Sequence, residues 1–203
     1  AYITAQFNSI IADIVTIANI PSPPFEEVDK TTFIQHQLKQ YKSLKYIHID
    51  KEGNLSAVLP GLENKNILLV AHTDTAIKAV PNPITIKDGH IYGHGVCDNT
   101  AGLNSLLYLL KFLTENSITP AYNLTLLFTV GEEGLGGKRG MKYFLRDNKN
   151  FDAVFNMESH DVGRITTAAV GQFRARITVN CEKGGHSWRD FGNPTPICIL
   201  ANI

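Results

Sequence analysis

Two apolar runs, 67–71 (ILLVA) and 124–130 (LTLLFTV), constrain the fold of this chain more than any other feature. A strand that shows no regular apolar–polar alternation is buried on both faces, as in a parallel sheet covered by helices. Helical patterns surround these runs. Phe7, Ile10, Ile11, Ile14, Val15 and Ala18 recur with a helical period that stops before Pro21. A second helix is expected over 26–41, with Val28, Phe33, Ile34 and Leu38 inward. Further helices are expected over 100–113 and 138–145. Shorter strands are expected at 46–50 and 55–59 around Glu52-Gly53-Asn54, and at 153–156. Asp88-Gly89 marks a hairpin between 84–87 and 90–92. Strand and helix therefore alternate, which predicts an α/β fold: a mixed, mostly parallel sheet flanked by helices.

After Gly163 the texture changes. Phe173, Ala175, Ile177 and Val179 alternate with Arg174, Arg176 and Thr178, the pattern of a strand wet on one face. The expected organisation is a first domain over 1–165 and the opening of a second over 166–203. One strand and the start of a helix offer that second domain little core, so the chain reads as incomplete.

Nineteen basic residues balance nineteen acidic ones, so no net field recruits nucleic acid or an anionic membrane surface. The apolar runs are too short to span a bilayer. The opening AYITAQFNSI lacks the charged start and apolar block of a secretory signal. Three cysteines without CxxC spacing, Cys97, Cys181 and Cys198, read as reduced core thiols, and a cytoplasmic location is expected.

Acidic and imidazole groups gather after the apolar strands. His72 and Asp74 follow 67–71. Asp98 precedes the helix near Thr100. Glu132 and Glu133 follow 124–130, and Glu158 follows 153–156. Ligands of open α/β sheets bind outside the carboxyl ends of the strands, so distant segments deliver these side chains to one rim. Carboxylates crowded together repel, and cations relieve that repulsion. Zinc accepts imidazole nitrogen and carboxylate oxygen, and one carboxylate can bridge two ions. In H-x-D, His72 is suited to bind metal while Asp74 holds its other ring N–H. The blander reading is an Asp in a turn beside a solvated His. Glu132-Glu133 is equally open to reading as a solvated turn. Before the tight GLGG segment, one glutamate is suited to ligate metal while the other takes a proton from the water that the metal activates.

The stretches LLVAHTDTA (68–76), YGHGVCDNTAGL (92–103), TVGEEGLGGKRG (129–140), FNMESHDVG (155–163) and VGQFRARITVNCEKGGHS (170–187) occur in this order. Together they resemble the family of acetylornithine deacetylase, succinyl-diaminopimelate desuccinylase, aminoacylase, peptidase T and glutamate carboxypeptidase. The resemblance implies a zinc-exopeptidase-like fold and a dizinc hydrolase of short peptides or N-acyl amino acids. It implies that His72 and Glu158 bind the first zinc, that Asp98 bridges both, and that Glu133 binds the second. Glu132 becomes general base and later acid, Asp74 orients His72, and the Asp98-Asn99 peptide is cis. His186 resembles a lid-domain histidine that reaches the active site of a partner subunit and stabilises an oxyanion, which implies a homodimer formed through the lid. Asn193 resembles a substrate-binding lid asparagine.

The sequence departs from the pattern in places. Thr100 stands where many members have Lys, and Pro194 replaces a small residue. His160 and Asp161 rival Glu158 as ligands. Nothing matches the family's last zinc ligand, a distal histidine. Cobalt or manganese suits the ligand set as well as zinc. A catalytically silent relative that binds metal or an amino acid is the competing reading. Retention of Glu132 beside a ligand argues against it.

Overall fold

The computed structural model describes residues 2–76, 84–158, 163–173, 175–181, 188 and 192–203. The chain divides into two compact units, Ala1–Arg164 and Ile165–Ile203.

In the first unit, α1 (Tyr2–Ala5), α2 (Phe7–Ala18) and α3 (Val28–Leu38) precede β1 (Lys45–Ile49), β2 (Leu55–Leu59) and β3 (Glu63–His72). A hairpin of β4 (Thr85–Lys87) and β5 (His90–Tyr92) follows. An irregular helical turn, Val96–Ala101, leads into α4 (Gly102–Glu115). Then come β6 (Tyr122–Thr129), α5 (Arg139–Asp147) and β7 (Ala153–Asn156). The main sheet has the order β1-β2-β6-β3-β7. β3 pairs parallel with β6 and β7, while β2 pairs antiparallel with β1 and β6. Only β2 therefore runs against the common direction, which gives the mixed, mostly parallel sheet that the apolar runs predict.

Successive side chains of β3 enter two cores, because residues of a strand alternate between faces. Leu69 and Ala71 pack with Ile17 of α2, Ile34 and Leu38 of α3, and Leu103, Leu106 and Leu110 of α4. Leu68 and Val70 pack on the opposite face with Leu127 of β6 and Phe144 of α5. Helices on both faces thus explain the absence of polar positions in the β3 run 67–71, while the polar start of the strand, 63–66, is mostly exposed.

Helix α3 departs from the expected pattern. It is shorter than 26–41, and Val28 is 72% exposed, whereas Lys30 and Thr31 are buried beside Ile34 and Leu38. Its inward stripe runs 30, 31, 34 and 38, so Val28 at its start faces out.

In the second unit none of the described residues is buried. Its one described helix is α6 (Pro196–Ala201), whose first turn is capped by the Thr195 hydroxyl accepting from the Cys198 N–H. The strand expected over 173–179 is not formed at any of its described residues. Phe173 and Ile177 are exposed, so no neighbouring surface rewards the alternation there. The thiols also differ from expectation: Cys97 and Cys198 are exposed and Cys181 is half-buried, so none is a core residue.

Candidate metal centre

Because β6, β3 and β7 run parallel, their carboxyl ends share one rim. His72 closes β3, the middle one of these three strands, and is 3% exposed. Glu132 and Glu133 follow β6 on one side, and Glu158 follows β7 on the other. Asp98 arrives from the turn before α4, where the Asp98-Asn99 peptide is cis, as the resemblance implies.

The side chains converge. His72 Nε2 lies 2.9 Å from Asp98 Oδ1 and 3.6 Å from Glu158 Oε1. Donor atoms of His72, Asp98 and Glu158 lie within 4.8 Å of one another, and so do those of His72, Glu132 and Glu133. The two groups share His72. Asn193 is exposed in the second unit. His186, His160 and Asp161 lie outside the described residues.

The electrostatics fit a cation. Burial first, then the neighbouring Asp98 charge, raises the Glu133 carboxyl above its ordinary range. Burial and Asp98 likewise raise Glu158, although His72 opposes them. Burial alone would lower the His72 pKa. The hydrogen bond and charge of Asp74, with Glu158 and Asp98, outweigh burial and push it up to about 9. Carboxyls whose pKa burial and neighbouring charge raise, around an imidazole whose pKa their charge also raises, form a donor set that a divalent ion would relieve. Imidazole nitrogen with carboxylate oxygen suits zinc, cobalt or manganese.

Asp74 differs from its expected role in one respect. The atom nearest to His72 Nδ1 on this residue is its backbone carbonyl oxygen, at 2.9 Å; the carboxylate lies at 3.4 Å. The carboxylate instead accepts from the Glu132 N–H at 3.0 Å and the Glu133 N–H at 2.8 Å. Burial opposes ionisation of Asp74, but His72 and these two N–H groups hold its pKa below the ordinary value. Asp74 therefore ties the imidazole to the glutamate pair.

Glu132 remains one-third exposed beside Lys138, whose Nζ lies 3.4 Å from Glu132 Oε1. A cleft of about 270 Å³ lies here, lined by His72, Glu132, Lys138, Val70, Met141 and Asn156. Asn99 is buried next to Asp98 and donates its side-chain amide to the Met157 carbonyl oxygen, linking the Asp98 turn to the segment that carries Glu158.

Sequence reasoning missed Lys30, which is 1% exposed. Burial lowers its pKa to about 8, with the Asp74 charge opposing. The available signal was its spacing: Lys30, Ile34 and Leu38 lie four residues apart on one helical face. Arg139, Glu27 and Glu52 were also missed, and sequence alone held no signal joining them.

Known proteins resemble this chain in sequence and in fold. Residues 68–193 match the model of peptidase family M20/M25/M40. The chain belongs to this family. An uncharacterized metallohydrolase of Methanocaldococcus jannaschii is 35% identical over 134 residues, 61% of this chain and 32% of the relative. The aminopeptidase PepT of Bacillus cereus superposes with a TM-score of 0.64 at 23% identity, covering 76% of this chain and 44% of PepT. The YXEP protein of Bacillus subtilis, described as a dinuclear metal-binding peptidase, superposes with a TM-score of 0.57 at 16% identity, covering 75% and 43%. The chain spans 32–40% of the length of the curated relatives it matches. Among the described residues, no helix is long and apolar enough to cross a membrane.

Proposed function

We propose that the full-length protein is a two-metal hydrolase that cleaves the amide bond of short peptides or N-acyl amino acids. The carrying observation is the convergence of Asp98, Glu158, Glu132 and Glu133 on His72 at one sheet rim. Family membership and the dinuclear centre named for the YXEP protein support it.

In this reading His72, Asp98 and Glu158 would hold one ion, and Glu133, with Asp98, would hold the other. The chemistry such a pair supplies when bound is Lewis acidity, which lowers the pKa of water and polarises an amide carbonyl. Glu132, adjacent to a ligand and open to the cleft, takes the proton from attacking water and returns it to the leaving amine. Asp74 keeps His72 and the glutamate backbone in place. By resemblance, His186 donates to the oxyanion across a homodimer formed through 166–203, and Asn193 contacts substrate. Zinc is the proposed metal, cobalt or manganese serving as substitutes, and the cytoplasm the proposed location.

The test is a panel of N-acetyl-L-alanine, N-succinyl-L-alanine and L-alanyl-L-alanine on the full-length protein, with and without 1,10-phenanthroline. Chelator-sensitive cleavage of a panel member is expected. Metal-loaded protein that binds these compounds without cleaving any would establish the silent reading instead.

A further inference from the structure

The loop carrying Glu132 and Glu133 is held at nearly every polar backbone group. The Val130 N–H donates to Asn54 Oδ1, and the Val130 carbonyl accepts from the Gly140 N–H. The Gly131 carbonyl accepts from the Arg139 N–H, and Asp74 accepts from both glutamate N–H groups. Beneath this loop lies a side chain that the proposed chemistry does not use. Arg139 donates through Nη2 to Glu27 Oε1 and Oε2 at 2.8 and 2.9 Å. Through Nη1 it donates to Glu52 Oε1 at 2.6 Å and to the Glu52 carbonyl at 3.0 Å. Its guanidinium also stacks 4.8 Å from the Phe25 ring centroid.

The Arg139 side chain presses directly on Gly131. A Cβ at Gly131 would lie 2.6 Å from Arg139 Cγ and Nε, and Gly131 has φ +62°. The chain thus passes over the guanidinium stem one residue before Glu132. A planar fork bonded to two carboxylates has little freedom to rotate, so it offers the loop a rigid floor.

We propose that Arg139, clamped by Glu27 and Glu52, is a positioning residue that sets the Glu132–Glu133 backbone for catalysis. The proposal rests on the roles given to those glutamates above. It names the segment before α3, the β1–β2 turn and the start of α5 as one brace, with no member touching substrate. A displacement near 1 Å at a catalytic group costs about 10²-fold in rate, which sets the expected scale.

Removing Arg139 alone strands the buried Glu27 charge and endangers folding. The test therefore uses the neutral pair Arg139→Met with Glu27→Gln, and separately the milder Glu52→Gln, in the full-length protein. Amide hydrogen exchange is read at Glu132 and Glu133 by NMR in the metal-free state. Turnover is read on whichever of the three panel compounds is cleaved. Exchange at these two amides is expected to accelerate at least tenfold while β3 and β6 amides stay protected. The neutral pair is expected to lower kcat by about 10²-fold with KM and zinc content retained. Placed on Glu132→Gln, the same pair is expected to change kcat by less than about threefold, because the two act through one group. Unchanged exchange at Glu132 and Glu133, or equal losses of kcat in both backgrounds, would overturn the proposal. If Glu132→Gln leaves turnover intact, the catalytic reading fails by itself, and the exchange measurement still decides whether Arg139 holds the loop.

Discussion

At Asp74 a single fully buried carboxylate faces His72 on one side and the N–H groups of Glu132 and Glu133 on the other. Asp74→Asn keeps the shape but turns one acceptor into a donor, so one glutamate N–H meets another N–H. Metal affinity is expected to fall by about 10- to 100-fold, the usual effect of losing an outer-shell partner, and kcat to fall with it. Zinc titration against a competing chelator reads the first effect, and unchanged affinity would assign Asp74 to folding alone. Glu132→Gln separates base from ligand: turnover is expected to drop by about 10²–10⁴-fold with metal content intact. Loss of metal by elemental analysis would mean that the two adjacent glutamates exchange roles. These residues were legible in the sequence because each follows directly on a strand, and parallel strands end on one rim. Arg139, Glu27 and Glu52 were not, because their meeting depends on how two loops and a helix start pack.

Helix α3 shows how a local pattern misleads about its own face. Its apolar residues are few: of the inward stripe expected at Val28, Phe33, Ile34 and Leu38, the structure buries Ile34 and Leu38 but exposes Val28, and it buries Lys30 near the Asp74 charge. The Lys30 pKa falls from 10.5 unfolded to about 8 folded. The unfolded chain therefore holds more protons between those values, and stability rises with pH across that window. Below pH 8 the cost of burying the ammonium is present, at most about 3.5 kcal/mol at about 1.4 kcal/mol per pH unit. Lys30→Met is expected to stabilise the protein at pH 7, with the gain shrinking to nothing near pH 10.5. Urea denaturation at pH 7 and pH 10 measures it, and a pH-independent difference would attribute the effect to packing instead. At the start of α5, Gly140 leaves no room for a side chain. A Cβ there would lie 2.2 Å from Asn54 Oδ1 and 2.5 Å from the Val130 carbonyl oxygen. Gly140→Ala is expected to cost roughly 1–3 kcal/mol, read as a lower urea midpoint at unchanged slope.

Over the whole molecule, the first unit owns a two-faced core, while none of the described residues of the second is fully buried. Alternation over 173–179 was legible as a strand only on the assumption of a surface to cover it. Metal stoichiometry follows from the same distribution. Among the described residues, both candidate donor groups include His72, and it supplies the one imidazole that either contains. One group can be completed around His72 with Asp98 and Glu158, three protein ligands being the number expected for a catalytic zinc. The other is then left with carboxylates alone, next to a cation that repels a second ion. The 203-residue polypeptide is therefore expected to retain at most one zinc after dialysis and to show negligible hydrolysis of the three panel compounds. The full-length protein is expected to retain two and to lose turnover when the second is stripped. Elemental analysis on both polypeptides is the measurement. Two tightly held ions on the 203-residue chain would require another ligand from its own residues, His160 or Asp161 first among them, and the division of Asp98, Glu133 and Glu158 between the ions would have to be redrawn.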